Sequence, residues 1–253
     1  MSEKIKSTLI IGIAIVLTGF LLGKSFKNRN ANLDAISVIG LGTKDFVSDE
    51  ILWSGSFTVS NFDIKMAYNK MVSDQKIVSD FFVRKGFKTS EFSFGAVNFQ
   101  KKFKEIKKIN PENSNQNQYE QAFDGYEATQ TIHFSAKKNP SLMAKIENVS
   151  SKTAELINSG IELSSNIIQY TYSNLPSLKQ SLIENATKDA SERAIKIVKT
   201  ADGNLGKLKR ANMGVFQITG QGSTEDDSYG GINDMFSKNK TARITVRLEY
   251  ELD

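Results

Sequence analysis

The sequence predicts an α+β fold: antiparallel sheets with three helices packed on one face. Two observations carry this. Strand-like segments rich in Val, Ile and Phe are joined by short turns and interrupted by three helix-like stretches. The closing segment Ala242–Leu252 alternates Ile244, Val246, Leu248 and Tyr250 with Arg243, Thr245, Arg247 and Glu249. That pattern makes a strand with one wet face, which an antiparallel sheet tolerates.

The elements follow in order. Ile36–Gly40 and Leu52–Ser60 read as strands, with Gly40-Leu41-Gly42 expected to turn the first toward the second. Asp63 is a candidate N-cap for a helix whose stripe is Ile64, Ala67, Met71, Val78 and Phe82, stopped at Gly86. Phe92–Phe99 reads as strand. Residues 99–110 fit both a helix (Phe99, Phe103, Ile106) and a strand, and their five lysines suit a solvated strand near a polar turn at 110–118. Tyr126–Ala136 alternates as a strand. Asn139 then caps a helix with Pro140 at its first position and a stripe of Leu142, Ile146, Val149, Thr153 and Leu156. Ile167–Tyr172 is a short strand. Asn174 opens a long helix to about Ala201, with Leu178, Leu182, Ala186, Ala190, Ala194, Ile197 and Ala201 inward. So many alanines let a helix lie close to a sheet or another helix. Asn204 and Gly206 end it, and Val215–Thr219 precedes the closing strand.

Residues 1–30 are expected to form a membrane anchor and polar linker, and residues 31–253 the α+β domain. Between Lys6 and Lys24 run 17 residues without a charge, Ser7–Gly23. As a helix they span ~25 Å at ~1.5 Å per residue. Lysines at both ends can snorkel across a hydrocarbon core of ~30 Å. A single inner-membrane anchor through residues 7–23, in contact with lipid, is the expectation; a cleaved signal peptide and a buried core helix are the alternatives. Basic residues flank both ends, so charge counting does not favour an outward-facing domain.

The net charge of +5 suggests nucleic acid only at first sight. Residues 1–30 hold five basic residues against Glu3, and the rest is nearly balanced at 28 basic to 27 acidic. No nucleic-acid partner is expected. The chain has no cysteine, so it has neither disulfide nor thiolate chemistry.

Motifs for catalysis are weak. Gly40-Leu41-Gly42 has Asp45 where a dinucleotide fingerprint needs its third glycine, and no helix follows. Gly23-Lys24-Ser25 lacks the upstream glycine of a phosphate loop. His133 is the single histidine, in a strand, without a Gly-x-Ser-x-Gly elbow; Gly55-Ser56 and Gly222-Ser223 lack that context. Glu225, Asp226, Asp227 and Asp234 do not have calcium-loop spacing and read as a solvated loop. Its tip, Tyr229 to Ile232 with Met235 and Phe236, suggests a contact surface. No catalytic, cofactor-binding or metal residue is assigned, and no cofactor is expected.

Four strings in order, "ISVIGLG", "GYEATQTIHFSAKK" (125–138), "ATKDASERAIKIVKTADGNLGKL" (186–208) and "ARITVRLEYEL" (242–252), resemble the SIMPL-domain family of bacterial envelope proteins. The likeness spans about residues 34–253, with Ile39 where the family's opening strand carries Thr before Gly-x-Gly. It implies a non-enzymatic, membrane-anchored protein with its domain in the periplasm, in conflict with the flanking charges. It also implies a homo-oligomer, contact with other envelope proteins and a link to envelope stress tolerance. The Ala-rich helix face and the half-wet last strand fit self-assembly. The alternative is a ligand-binding module for a small hydrophobic or cell-wall compound, using Trp53 and nearby aromatics.

Overall fold

A computed structural model describes residues 12–24, 35–108, 118–223 and 230–252. The elements run β1 (Ala35–Val47), β2 (Glu50–Asn61), α2 (Ile64–Arg84), β3 (Phe92–Phe94), β4 (Asn98–Lys108), β5 (Gln118–Lys137), α3 (Pro140–Ser150), a 3-10 segment (Thr153–Ser159), β6 (Leu163–Ser165), β7 (Gln169–Thr171), α4 (Leu175–Thr200), β8 (Leu205–Met213), β9 (Gln217–Gly220) and β10 (Asn239–Leu252). Ahead of them lies α1, residues 12–24, exposed along its length. No helix among the described residues is long and apolar enough to cross a membrane. The predicted anchor over 7–23 reaches into residues 1–11, outside the described chain.

All strand pairs within the two sheets are antiparallel, as predicted, and each sheet has its own core. The four-stranded sheet sets β1 against β10 over thirteen residue pairs, from Ala35–Glu251 to Val47–Asn239, with β8 and β9 on β10's other side. The six-stranded sheet centres on β2 and β5, with β3 and β4 on β5 and β6 and β7 on β2.

The core of the six-stranded sheet is aromatic. Phe82 of α2 sits 4.7 Å from Phe134, 6.0 Å from Trp53 and 6.2 Å from Phe87, ring centre to ring centre. Offset and edge-on rings at such separations add to their burial. The Asp63 carboxylate accepts from the N–H groups of Lys65 and Met66, so the predicted cap forms. Asn139 likewise accepts from Leu142 N–H, ahead of Pro140. The α3 stripe breaks at Ser150, and Thr153 and Leu156 reach the core from the 3-10 segment instead.

The second core corrects the first strand. Gly40-Leu41-Gly42 is no turn: β1 runs through to Val47, and the chain reverses at Ser48-Asp49. Even-numbered residues of β1 face α4, and a Cβ on Gly40 would stand 2.1 Å from the Ala186 carbonyl oxygen and 2.4 Å from Ala190 N. On Gly42 it would stand 2.2 Å from the Leu182 oxygen. Glycine in the strand and alanine in the helix bring the two backbones together. The alanine face is thus consumed inside the chain and is not free for another copy. Its stripe also ends differently. Leu178, Leu182, Ala186, Ala190, Ala194 and Val198 point inward, and Ile197 and Ala201 face out. Steps of four drift by ~40° each at 3.6 residues per turn, so the buried face turns as it follows the twisted strands.

Other differences are local. Phe92–Phe99 is two strands, split at Gly95–Val97. Residues 98–108 are strand, while residues 109–117 of the polar turn lie outside the described residues. Gly206, expected to stop the helix, lies in β8; Ala201 and Asp202 end α4, Asp202 with φ of +54°. Asn174 precedes α4 without a side-chain capping bond.

The two layers are pinned where β1 passes into β2. Asp49 accepts from Ser173 N–H at 2.7 Å and Ser173 Oγ at 2.6 Å. Partial burial pushes its carboxyl up, but those bonds and the Lys138 charge outweigh this and hold it below the usual carboxylate range. Nearby, Tyr170 N–H donates to the Met235 carbonyl at 2.7 Å. Lys240, buried in β10, donates to the Asp234 carbonyl oxygen, with the Asp234 carboxylate 4.0 Å away. Burial draws its ammonium down against that carboxylate's pull.

Candidate functional site

The outer face of the six-stranded sheet is built by alternation. In β2 and β5 every second residue points away from the core: Ser54, Ser56 and Thr58 on one strand, Thr129, Thr131, His133 and Ser135 on the other. Cross-strand hydroxyls bond in rows, Ser56 to Thr131 at 2.9 Å and Thr58 to Thr129 at 3.0 Å. Asn166 Nδ2 donates to Ser54 Oγ at 2.9 Å.

Where β3, β6 and β7 flank this face, it deepens into an open trough of about 790 Å³. His133 stands in its floor, paired in register with Ser54 on one side and Ser93 on the other. Asn166, Gln169 and Glu91 add polar groups; Ile167 and Phe236 add exposed apolar ones. Among the described residues no hydrogen bond joins His133 to a hydroxyl or to Glu91. What the trough offers is a hydrogen-bonding floor with exposed apolar side chains beside it. On the core side of the same sheet Tyr170 donates to Glu147 at 3.0 Å; burial and that carboxylate push the phenol up to about 12, so it stays protonated.

Trp53 is one of the residues that border the trough, nearly covered by its neighbours. It is 2% exposed, and its indole N–H donates to Ser165 Oγ at 3.0 Å. The ligand site that the sequence suggested around Trp53 thus has its tryptophan at the trough, with little ring surface open. Of the acidic loop, Glu225, Asp226, Asp227 and Tyr229 lie outside the described residues. Asp234 turns its carboxylate onto the N–H groups of Phe236 and Ser237. Among the described residues no three His, Asp or Glu side chains gather as a metal site.

A second surface stands out on the hairpin of β4 and β5. Phe103 and Phe123 are cross-strand partners, and Tyr119 shares their face four pairs further along, beyond Glu105 and Gln121. Phe123 meets Phe62 at 6.4 Å and Tyr126 at 5.3 Å. Phe62 is 67% exposed, Tyr119 63% and Phe103 51%. A bulge between Lys101 and Phe103, opposite Gly125 at φ +105°, bends the hairpin at the root of this patch. Sequence reasoning missed it because Phe99, Phe103 and Ile106 fitted helix and strand alike. It missed the hydroxyl rows too, although serine and threonine at every second position of β2 were a visible signal.

The chain has no match among curated proteins. The family model of SIMPL, described as a protein of unknown function (DUF541), matches residues 36–250. That span begins in β1 and ends in its partner β10, so it encloses both cores, the trough and the hairpin. The first and last landmarks of the sequence are thus paired strands of one sheet, and the chain belongs to the SIMPL family.

Proposed function

We propose that this protein is a membrane-tethered envelope protein without an active site, whose periplasmic domain self-assembles through the aromatic face of the β4–β5 hairpin. The observation that carries it is the exposed cluster of Phe62, Phe103, Phe123 and Tyr119. Contiguous apolar patches of this kind mark contact surfaces. A second copy suits this one because its rim carries both signs. Lys101, Lys102 and Lys107 stand with Glu105 and Glu127, and Lys104 pairs with Asp124 at 3.0 Å. A two-fold pairing can set the lysines of one copy against the carboxylates of the other. The tether is the uncharged run 7–23, held in the inner membrane by its lipid contacts. The outward placement, a role in stress tolerance and contact with other envelope proteins rest on the family resemblance.

The test is the mass of the full-length protein in mild detergent, by light scattering. An oligomer is expected. Phe103→Ser with Phe123→Ser should weaken association ~30-fold, the scale of losing a ~2 kcal/mol hot spot, with the circular dichroism unchanged. Monomer at every concentration in the parent protein would sink the proposal.

The trough supports a second reading, a ligand-binding module for a cell-wall saccharide, whose hydroxyls would meet Ser54, His133 and Asn166. Trp53 borders the trough and reports on it. Titration with cell-wall oligosaccharides should shift its emission, and no shift at millimolar ligand removes this reading.

A further inference from the structure

Among the described residues β1 is an edge strand, with β10 as its one partner in the sheet. Its open side is closed, among the described residues, at a single point. Leu41 N–H, turned away from β10, donates to Asp189 Oδ2 of α4 at 2.8 Å. In an antiparallel strand every second residue directs both its backbone groups to the same side. Ser37 and Ile39 therefore face the same open side as Leu41. Among the described residues neither N–H finds an acceptor there.

α4 runs antiparallel to β1, with Leu182 over Gly42 and Ala186 over Gly40, so its C-terminal half stands beside Ser37–Ile39. Between strand edge and helix lies a groove of about 640 Å³, lined by Ser37, Val38, Ile39, Arg193, Lys196 and Ile197 among others. Ile197, which the sequence assigned to the core, is instead an exposed apolar wall. Arg193 is held by Asp189, its Nε 2.9 Å from the carboxylate. Lys196 makes no ion pair among the described residues.

A free strand edge, an apolar wall and two cations make a place for strand addition, in which main-chain bonds supply affinity and side chains supply choice. We propose that the groove between β1 and α4 takes an extended acidic segment of another protein, added as a strand beside Ser37–Ile39. A second copy of this chain fits poorly. Its other long edge strands are basic: β8 carries Lys207, Lys209 and Arg210 with no carboxylate, and β4 carries five lysines against Glu105. Either would bring like charges against Arg193 and Lys196. The Asp189 carboxylate, fixed on Leu41 N–H, sets where the added strand must stop. It also repels acidic side chains at that end, so they are drawn toward Lys196.

The test uses the full-length protein in mild detergent and two labelled octapeptides, one alternating Val with Glu and the other Val with Lys. The Glu peptide should bind about tenfold more tightly at low salt, with the advantage shrinking as salt rises. Its binding should slow amide exchange at Ser37 and Ile39. Lys196→Glu should reverse the preference between the peptides. Ile39→Pro should abolish binding while leaving the circular dichroism intact, since proline is tolerated where an edge N–H faces outward. If that variant does not fold, Lys196→Glu decides alone. Equal binding of both peptides, or no binding at low salt, overturns the proposal. So does protection of the Ser37 and Ile39 amides before any peptide is added, which would mean that a second copy or the chain's own linker already holds the edge.

Discussion

Gly40→Ala is expected to cost about 3 kcal/mol or more, at or above the upper end for overpacked cores. The new methyl would lie 2.1 Å from the Ala186 carbonyl oxygen and 2.4 Å from Ala190 N. Both are helix backbone, so no rotamer change relieves the clash and α4 itself must lift from β1. That would open the contacts of Leu182, Ala186 and Ala190, all fully buried. Ala190→Gly should not rescue the variant, because it removes the side-chain contact at 2.7 Å and leaves both backbone ones. Chemical denaturation followed by circular dichroism measures the loss. Trp53 sits in the other core, so its emission should report a later transition than the helical signal. A change in stability below about 1 kcal/mol, or full rescue by Ala190→Gly, would contradict the backbone-contact account of this strand.

Phe82→Ala is expected to be as damaging in the other core, at about 3–5 kcal/mol. Phe82 is fully buried and meets the rings of Trp53, Phe81, Phe87, Phe92 and Phe134. Five aromatic neighbours are too rigid to collapse into the space it leaves, so the cavity persists. Domains of ordinary stability hold ~5–15 kcal/mol in total, so such a loss is a large share. The midpoint of unfolding read by Trp53 emission should fall sharply. A fall smaller than that of Phe81→Ala would show that the ring cluster is not centred on Phe82.

Much of this was legible in the residues. Asp63 and Asn139 cap helices because their short side chains reach the free N–H groups of a first turn, which is a local interaction and readable locally. The alternation of β10 was equally plain. Gly40 and Gly42 were not. Within their own stretch they look like a turn, and only α4, some 140 residues away, explains them. The alanines of α4 did announce a close approach, but nothing in them named the partner. β8 was missed for a related reason: Leu205–Met213 carries lysines on an edge strand, where no alternation is required. Of the candidate surfaces, His133 was placed correctly on a strand face. The trough around it depends on Asn166 and Gln169, which arrive through short strands without a pattern of their own. Trp53 borders that trough, but a lone tryptophan does not say how much of its ring its strand leaves open.

The pairing of β1 with β10 has a consequence for the order in which the molecule can be made. Thirteen pairs join the first strand to the last, from Ala35–Glu251 inward. A growing or emerging chain presents β1 long before β10, so the four-stranded sheet cannot close until β10 is out. Loop closure over some 200 residues adds only a slowly growing entropic cost, but it delays the contact in time. The six-stranded sheet, whose strands lie between Glu50 and Thr171, can assemble in the interval. Until β10 arrives, β1 lacks the strand partner it has among the described residues, and its backbone groups on that side stand unpaired. A chaperone acting on this protein would find its clearest task at that strand.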